Sequence, residues 1–158
     1  MLKKLFPFAL FFLGNTSFAQ QAEFKIDTTY NPAIVASQNV AVIYFGGSEG
    51  GLPDWEDMNF YKEELPQIGI PTLGVAYFGS KNTPETLAKL PLEYWKEVIS
   101  TFKRRPEIEG KKIVVDGISK GGELALLLGS IFDEIDAVIS KAPSSVVWQG
   151  ITWENVSS

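Results

Sequence analysis

Residues 112–131 read KIVVDGISKGGELALLLGSI, in which a strand, a glycine-rich turn and a helix follow one another directly. After Lys112, residues 113–115 are apolar and β-branched, as expected of a strand that is buried on both faces. Residues 123–131 predict a helix, and its inward side chains are expected to be Leu124, Leu127, Leu128 and Ile131. This succession is typical of a strand–helix unit in an α/β protein.

Similar units lie on both sides of this stretch. Further strands are predicted at residues 23–30, 40–45, 72–78 and 137–140. Helices are predicted from about Trp55 to Leu65 with Asp54 as N-cap, from Thr83 to before Pro91, and over residues 92–104. The last of these helices has an apolar stripe made of Leu92, Trp95, Val98, Ile99 and Phe102. We therefore expect an α/β fold with a mostly parallel sheet and helices on both of its faces.

The turn at the centre of the quoted stretch has a pattern that carries chemistry. Gly117-Ile118-Ser119-Lys120-Gly121 is a G-x-S-x-G pentapeptide between a strand and a helix, and this context predicts a nucleophile elbow. Glycine at positions 117 and 121 would let the strand and the helix approach closely, and the helix N-terminus would favour a developing negative charge. Ser119 is therefore the candidate nucleophile of an α/β-hydrolase. The alternative is a plain turn with a serine that faces solvent.

A second glycine-rich segment, GGSEGG at residues 46–51, follows the strand at residues 40–45. In α/β-hydrolases the loop at this place gives one backbone N–H to the oxyanion hole, and the residue after the nucleophile gives another. The predicted backbone donors are Ser48 or Glu49 in the loop, together with Lys120, whose side chain we expect at the surface. The loop matches neither glycine-rich pattern of phosphate-binding loops. A flexible loop without a role is the remaining alternative.

The composition excludes several other chemistries. The sequence contains no cysteine and no histidine, so neither a disulfide nor a thiolate nucleophile is possible, and no metal or other cofactor is expected. Histidine is also the usual general base near neutral pH. Lys120 and Lys141 are disfavoured as substitutes, because a lysine base requires burial. A formal net charge of −5 disfavours nucleic acid as a partner.

Residues 1–19 have the pattern of a secretory signal peptide. Lys3 and Lys4 precede an apolar run at residues 5–13, and Ser17 and Ala19 are the small residues that a signal peptidase reads. The apolar run is shorter than the ~20 residues that a membrane span requires. We predict cleavage after Ala19, export to the periplasm or the medium, and no stable membrane span after cleavage. An uncleaved membrane anchor is the alternative.

Four stretches of the sequence resemble a known family. They are GGSEGGLPDWEDMNFYKEELPQIGIPTLGVAYFG (46–79), LPLEYWKEVI (90–99), DGISKGGELALLLGS (116–130) and KAPSSVVWQGI (141–151). They are similar to the C-terminal α/β-hydrolase domain shared by acyl-CoA thioesterases and bile acid-CoA:amino acid N-acyltransferases. The resemblance implies that an acyl group is carried on the nucleophile and then passed to water or to an amine. Serine at position 119, where the acyltransferases use cysteine, favours hydrolysis of a small-molecule acyl thioester or ester.

The resemblance also implies that the acid and the histidine of the family follow the matched region. We therefore expect residues 20–158 to be a partial α/β-hydrolase domain, with its last strands and those two residues beyond Ser158. Two other interpretations remain open. Export favours a carboxylesterase or peptidase of the same fold, and the absence of histidine favours a truncated domain without catalytic activity.

Overall fold

The computed structural model describes residues 27–88, 90–145 and 150–151, and within them a five-stranded sheet has the order β1-β3-β2-β4-β5. The strands are β1 (Thr28–Asn31), β2 (Val40–Phe45), β3 (Thr72–Val75), β4 (Lys112–Ile118) and β5 (Ala137–Lys141). Strands β3, β2, β4 and β5 are parallel, and β1 lies antiparallel to β3 at one edge. The prediction of an α/β fold with a mostly parallel sheet is confirmed. The predicted signal peptide lies outside the described residues.

The two central strands bring the two glycine-rich segments together. Strands β2 and β4 pair in parallel from Val40–Lys112 to Phe45–Gly117. Because parallel strands end at the same edge of a sheet, the loop that begins at Gly46 and the turn at Ser119 leave the sheet side by side. Residues 40–45 form a strand as predicted, whereas β4 extends three residues past the predicted end at Val115.

Two long helices, α2 (Leu92–Lys103) and α3 (Lys120–Ile131), contribute to one core cluster with alternate residues of the sheet. Four residues of the predicted α2 stripe are buried, but Leu92 is 43% exposed, and Tyr94 is buried and donates its hydroxyl to the carbonyl of Ala76. In α3 Leu128 is buried, whereas Ile131 is 42% exposed and not inward as predicted. The first residue of α2 and the last of α3 lie beyond the edge of the core, so periodicity alone misplaced them.

The opposite face of the sheet is covered by an irregular helical segment. It consists of a 3₁₀ turn (Glu56–Met58), a π-helical turn (Phe60–Glu64) and a short α1 (Leu65–Gln67). Its side chains form a second cluster with β2, made of Val42, Tyr44, Met58, Tyr61 and Leu65. Helices on both faces are thereby confirmed. The predicted N-cap is wrong: Trp55 occupies that position without a side-chain cap, and the Asp54 carboxylate forms an ion pair of 2.9 Å with Lys62.

The π-helical turn is followed by Leu65 and then by Pro66. The Leu65 N–H bonds to the carbonyl of Phe60, five residues earlier, and the next carbonyl, that of Tyr61, meets a proline that has no N–H. The Thr72 hydroxyl, which is fully buried in β3, donates to the Tyr61 carbonyl at 2.7 Å. A side chain of the sheet thus satisfies the group that the proline leaves open.

The helix predicted from Thr83 is wrong. Residues 83–88 form bends, and Leu87 makes an isolated antiparallel bridge with Ile151. The Thr83 hydroxyl accepts the Ser80 N–H at 2.9 Å, and the Gly79 N–H bonds to the carbonyl of Pro84. The Thr83 hydroxyl and the Pro84 carbonyl, which would help to begin a helix, thus bond to N–H groups earlier in the chain. These contacts outweigh the preference of the Thr-Pro pair for a helix start.

Within residues 27–88, 90–145 and 150–151, no helix has both the length and the apolar character that crossing a bilayer would require.

Candidate active site

Ser119 lies at the turn between β4 and α3 in a strained backbone conformation. Its φ is 53° and its ψ is −118°. Positive φ disfavours any side chain with a Cβ, and in the described part of the chain Ala142 is the other residue besides glycine that has it. Such strain amounts to about 1–3 kcal/mol and persists only where the surroundings enforce it. The strained turn that the G-x-S-x-G pattern predicts is therefore present, and Ser119 is exposed at its tip.

The two glycines of the pentapeptide are required by close backbone contacts. A Cβ on Gly117 would overlap the carbonyl of Gly121, and a Cβ on Gly121 would overlap the carbonyl of Gly46. The start of α3 can therefore pack directly on β4 and on the Gly46 loop only because these positions have no side chain. The role predicted for both glycines, close approach of strand and helix, agrees with these contacts.

The serine faces the loop that follows β2. A Cβ placed on Gly47 would lie 3.3 Å from the Ser119 Cβ and 3.5 Å from the carbonyl oxygen of Ile118. The structure thus brings Ser119 together with the segment from which the oxyanion donors are predicted. Lys120 is the first residue of α3, and Ser48 and Glu49 are exposed in the loop.

Tyr77 fixes the direction of the loop peptides. Its buried hydroxyl lies 3.1 Å from the carbonyl oxygen of Gly46 and 2.9 Å from that of Gly47, and it donates to both. In a planar trans peptide the N–H points opposite to the C=O, so the N–H groups of Gly47 and Ser48 point away from Tyr77. Burial raises the pKa of Tyr77 well above its usual value, which keeps the hydroxyl protonated and able to donate.

Glu49 uses its side chain within this loop. Its carboxylate oxygen Oε1 accepts the Gly47 N–H at 2.5 Å. The same carboxylate fills the space beside the two first glycines, because a Cβ on Gly46 would lie 2.5 Å from Oε1 and one on Gly47 2.9 Å from Oε2. Ser119 and the Glu49 carboxylate therefore flank the same residue, Gly47. The sequence pattern pointed to the backbone of Glu49 and did not predict this contact.

The Lys120 side chain is not at the surface as expected. It is 11% exposed, and its Nζ lies 3.1 Å from Oε2 of Glu123, whose side chain is 7% exposed. The pair borders a cavity of about 210 Å³ whose wall also includes Tyr77, Trp95 and Leu124. A buried ammonium paired with a carboxylate one helical turn away is held inward by that pairing. The apolar wall adjoins the residue that follows Ser119.

A second polar cluster lies on the other side of the turn. The Asp116 carboxylate is 3% exposed, accepts the Tyr61 hydroxyl at 2.7 Å and lies 2.9 Å from Nζ of Lys141. Lys141 also donates to the Tyr61 hydroxyl. Burial, followed by the hydrogen bond to Asp116, raises the pKa of Tyr61 far above its usual value, so the phenol stays protonated. The cluster ties the helical segment to the ends of β4 and β5.

Sequence reasoning did not predict Tyr61, Tyr77 or Gly47 as parts of this arrangement. Tyr61 and Tyr77 are far from Ser119 in the sequence, and a tyrosine in an apolar pattern is as typical of a core position as of a polar contact. Gly47 belongs to the GGSEGG segment, but the sequence pattern does not indicate which of the four glycines in that segment lies next to the nucleophile.

Comparison with known proteins identifies sequence relatives of this chain. Residues 90–154 match the family described as BAAT / Acyl-CoA thioester hydrolase C terminal. Human acyl-coenzyme A thioesterase 1 is 32% identical over 93 residues, which is 59% of this chain and 21% of the relative. Acyl-coenzyme A thioesterase 1 of Rattus norvegicus is 34% identical over 98 residues, or 62% of this chain and 22% of the relative. The chain thus spans about a fifth of the length of these relatives.

Solved structures show the same fold at low sequence identity. Acetyl xylan esterase 1 from Thermoanaerobacterium sp. JW/SL YS485 matches with a TM-score of 0.59 and 17% identity, over 77% of this chain and 45% of that one. The α/β hydrolase GrgF from Penicillium sp. sh18 matches with a TM-score of 0.58 and 20% identity, over 75% of this chain and 46% of that one. Over residues 90–154 the chain is similar to the BAAT / acyl-CoA thioester hydrolase C-terminal family, and its described residues have the α/β-hydrolase fold.

Proposed function

We propose that this chain provides the nucleophile of a serine hydrolase that acts on acyl thioesters through an acyl-enzyme on Ser119. The observation that carries the proposal is the strained backbone of Ser119 beside Gly47, at the end of a central parallel strand. The strain does not serve to bury the side chain, which is exposed. Its effect is to present a hydroxyl at the edge of the sheet, which is what a nucleophile requires. The sequence similarity to acyl-CoA thioesterases supports a thioester as the substrate class.

The proposed reaction follows from the groups around the turn. The Ser119 Oγ attacks the thioester carbonyl carbon, its proton passes to a base, and the carbonyl oxygen becomes an oxyanion. The backbone N–H of Lys120 and an N–H of the Gly46 loop, from Gly47, Ser48 or Glu49, stabilise that oxyanion, and the N-terminus of α3 adds a favourable partial charge. The thiol leaves, and water then hydrolyses the acyl-enzyme. The sequence contains no histidine, so the general base is not assigned to one of its residues.

The cavity of about 210 Å³ beside Lys120 is proposed to hold the acyl chain. Its wall is mainly apolar and includes Trp95, Leu124 and Leu127, which suits a hydrocarbon chain. We also propose that residues 1–19 direct export, on the strength of their charged, apolar and small-residue regions.

Active-site labelling tests the proposal. The purified chain is treated with a neutral fluorophosphonate, with and without imidazole in the buffer as an external base. We expect labelling of Ser119, accelerated by imidazole and absent in the S119A variant. The matched control is S130A, which removes an exposed hydroxyl at the end of α3 and leaves labelling unchanged. Labelling at another serine, or equal labelling of S119A, would contradict the proposal.

Substrate comparison separates thioester hydrolysis from the activity of an exported carboxylesterase. Acyl-CoA, the corresponding acyl-pantetheine and an aryl ester with the same acyl group are compared for Ser119-dependent turnover. A preference for the two thioesters over the aryl ester supports the proposed substrate class. The reverse order assigns the chain to ester hydrolysis.

A further inference from the structure

The Glu49 carboxylate accepts one of the loop N–H groups that the proposed function assigns to the oxyanion hole. The N–H of Gly47 points away from Tyr77, and a Cβ on Gly47 would lie 2.9 Å from Oε2 of Glu49 and 3.3 Å from the Ser119 Cβ. In the structure this N–H is already used, because Oε1 of Glu49 accepts it at 2.5 Å. A carboxylate is a stronger acceptor than the neutral carbonyl of a substrate, since its full negative charge strengthens the bond.

We propose that Glu49 is a gate of the oxyanion-binding site. Its carboxylate accepts the Gly47 N–H, and so blocks this donor until a substrate displaces the carboxylate. The inference rests on the proposed function and adds to it a residue that competes with the developing oxyanion. The contact is local, because donor and acceptor are two residues apart.

The gate can open at low cost. Glu49 is exposed, so water can solvate the carboxylate as soon as it leaves Gly47. Tyr77 keeps the carbonyls of Gly46 and Gly47 in place through its two hydrogen bonds, so the N–H groups keep their direction when the carboxylate moves. The loop backbone is thus pre-organised for an anion, and only a side chain has to exchange.

A gate and a catalytic role of Glu49 predict opposite changes in the rate of attack by Ser119 when the carboxylate is removed. If the carboxylate blocks the donor, its removal accelerates attack by Ser119. If the carboxylate were the base or a necessary part of the loop, its removal would slow attack. The net worth of one hydrogen bond, about 1 kcal/mol, corresponds to a change of about fivefold in rate.

The experiment compares the rate of fluorophosphonate labelling at Ser119 in the purified chain and its variants, with imidazole present throughout. We expect E49A to label about fivefold faster than the unchanged chain, and E49Q, which keeps a weaker acceptor of the same shape, to fall between them. The control is E85A, which removes the same charge from an exposed residue on the rim of the pocket that Glu49 also lines. An unchanged or lower rate for E49A, or an equal acceleration by E85A, would overturn the gate.

A second measurement separates the gate from the proposed function. The amide proton of Gly47, followed by heteronuclear NMR, should lie downfield in the unchanged chain and move upfield in E49A. An upfield move together with faster labelling supports the gate. An upfield move without any labelling of Ser119 overturns the proposed function and the gate with it, but leaves the carboxylate contact in place. No move of the Gly47 proton overturns the gate directly, whatever the labelling shows.

Discussion

The backbone N–H of Ser119 donates a hydrogen bond of 2.9 Å to the carbonyl oxygen of Lys141. The parallel ladder of β4 and β5 ends with the pair Ile118–Lys141, so this bond extends the pairing one residue into the strained turn. The side chain of the same Lys141 reaches back to the Asp116 carboxylate in β4. A single residue of β5 therefore holds both the turn and the strand that precedes it.

The Asp116 cluster is expected to contribute strongly to stability. In D116A the Lys141 ammonium and the buried Tyr61 hydroxyl lose their common partner, which should lower the free energy of unfolding by about 1–3 kcal/mol. Urea denaturation measures this loss. The control is E97A, which breaks an exposed ion pair with Arg104 and should change the free energy of unfolding little. Equal losses for the two variants would contradict the assigned importance of the cluster.

Ser119 should be replaceable by glycine with a gain in stability. Glycine adopts positive φ without strain, and the relief of about 1–3 kcal/mol exceeds the about 0.5–1 kcal/mol by which glycine favours the unfolded chain. We expect S119G to raise the free energy of unfolding by about 1 kcal/mol, while S119A, which keeps a Cβ, does not. Both variants lose the hydroxyl, so a gain in both would show that the side chain and not the backbone is strained.

Thr72 is expected to be sensitive to loss of its hydroxyl, even though valine has the same shape. In T72V the buried carbonyl of Tyr61 loses its donor and the Asn31 amide loses the nearer of its two acceptors, which should lower the free energy of unfolding by about 1–3 kcal/mol. T72S retains the hydroxyl and should keep most of the stability. The control is T28V on the exposed edge strand, where a β-branched apolar residue should change little.

Asp27 is expected to make the loop at residues 80–83 sensitive to acid. The Ser80 hydroxyl, the Asn82 N–H and the Asn82 side chain, in that order, lower the pKa of Asp27 below its ordinary value of 3.8. A folded-state pKa below the unfolded one gives stability that is present above pH 3.8 and is lost as the pH falls through the folded-state pKa. Thermal unfolding followed from neutral pH into this range should show a flatter acid decline in D27N. S80A, which removes the largest cause, should flatten it in part, and an unchanged decline in D27N would refute the role.

Export should leave a chain that begins at Gln20. Expressed with its first 19 residues in a secreting bacterial host, the protein should appear outside the cytoplasm, and mass spectrometry should find Gln20 at its N-terminus. A19R, which places a large charged residue at the cleavage position, should remain uncleaved. An intact N-terminus in the unchanged protein would support the alternative of an anchor.

Much of the fold could be predicted because its signals are local. The apolar run of β2 and the stripe of α2 depend on residues near one another in the sequence, and both elements lie where their patterns place them. The helix expected at Thr83 failed because its turn groups bond within the loop and because Leu87 pairs with Ile151. A propensity of a few tenths of a kcal/mol per residue does not outweigh such contacts.

The sequence by itself determined that a serine would stand between a buried strand and a helix, flanked by glycines, and that none of these 158 residues is a histidine. Only the tertiary structure decided that Gly47 faces this serine, that Tyr77 orients the loop, and that the Glu49 carboxylate covers the Gly47 N–H. The physical reason is that the register of β2 against β4 sets which atoms meet beyond the strand ends. That register results from the packing of both sheet faces at once, which no short segment encodes.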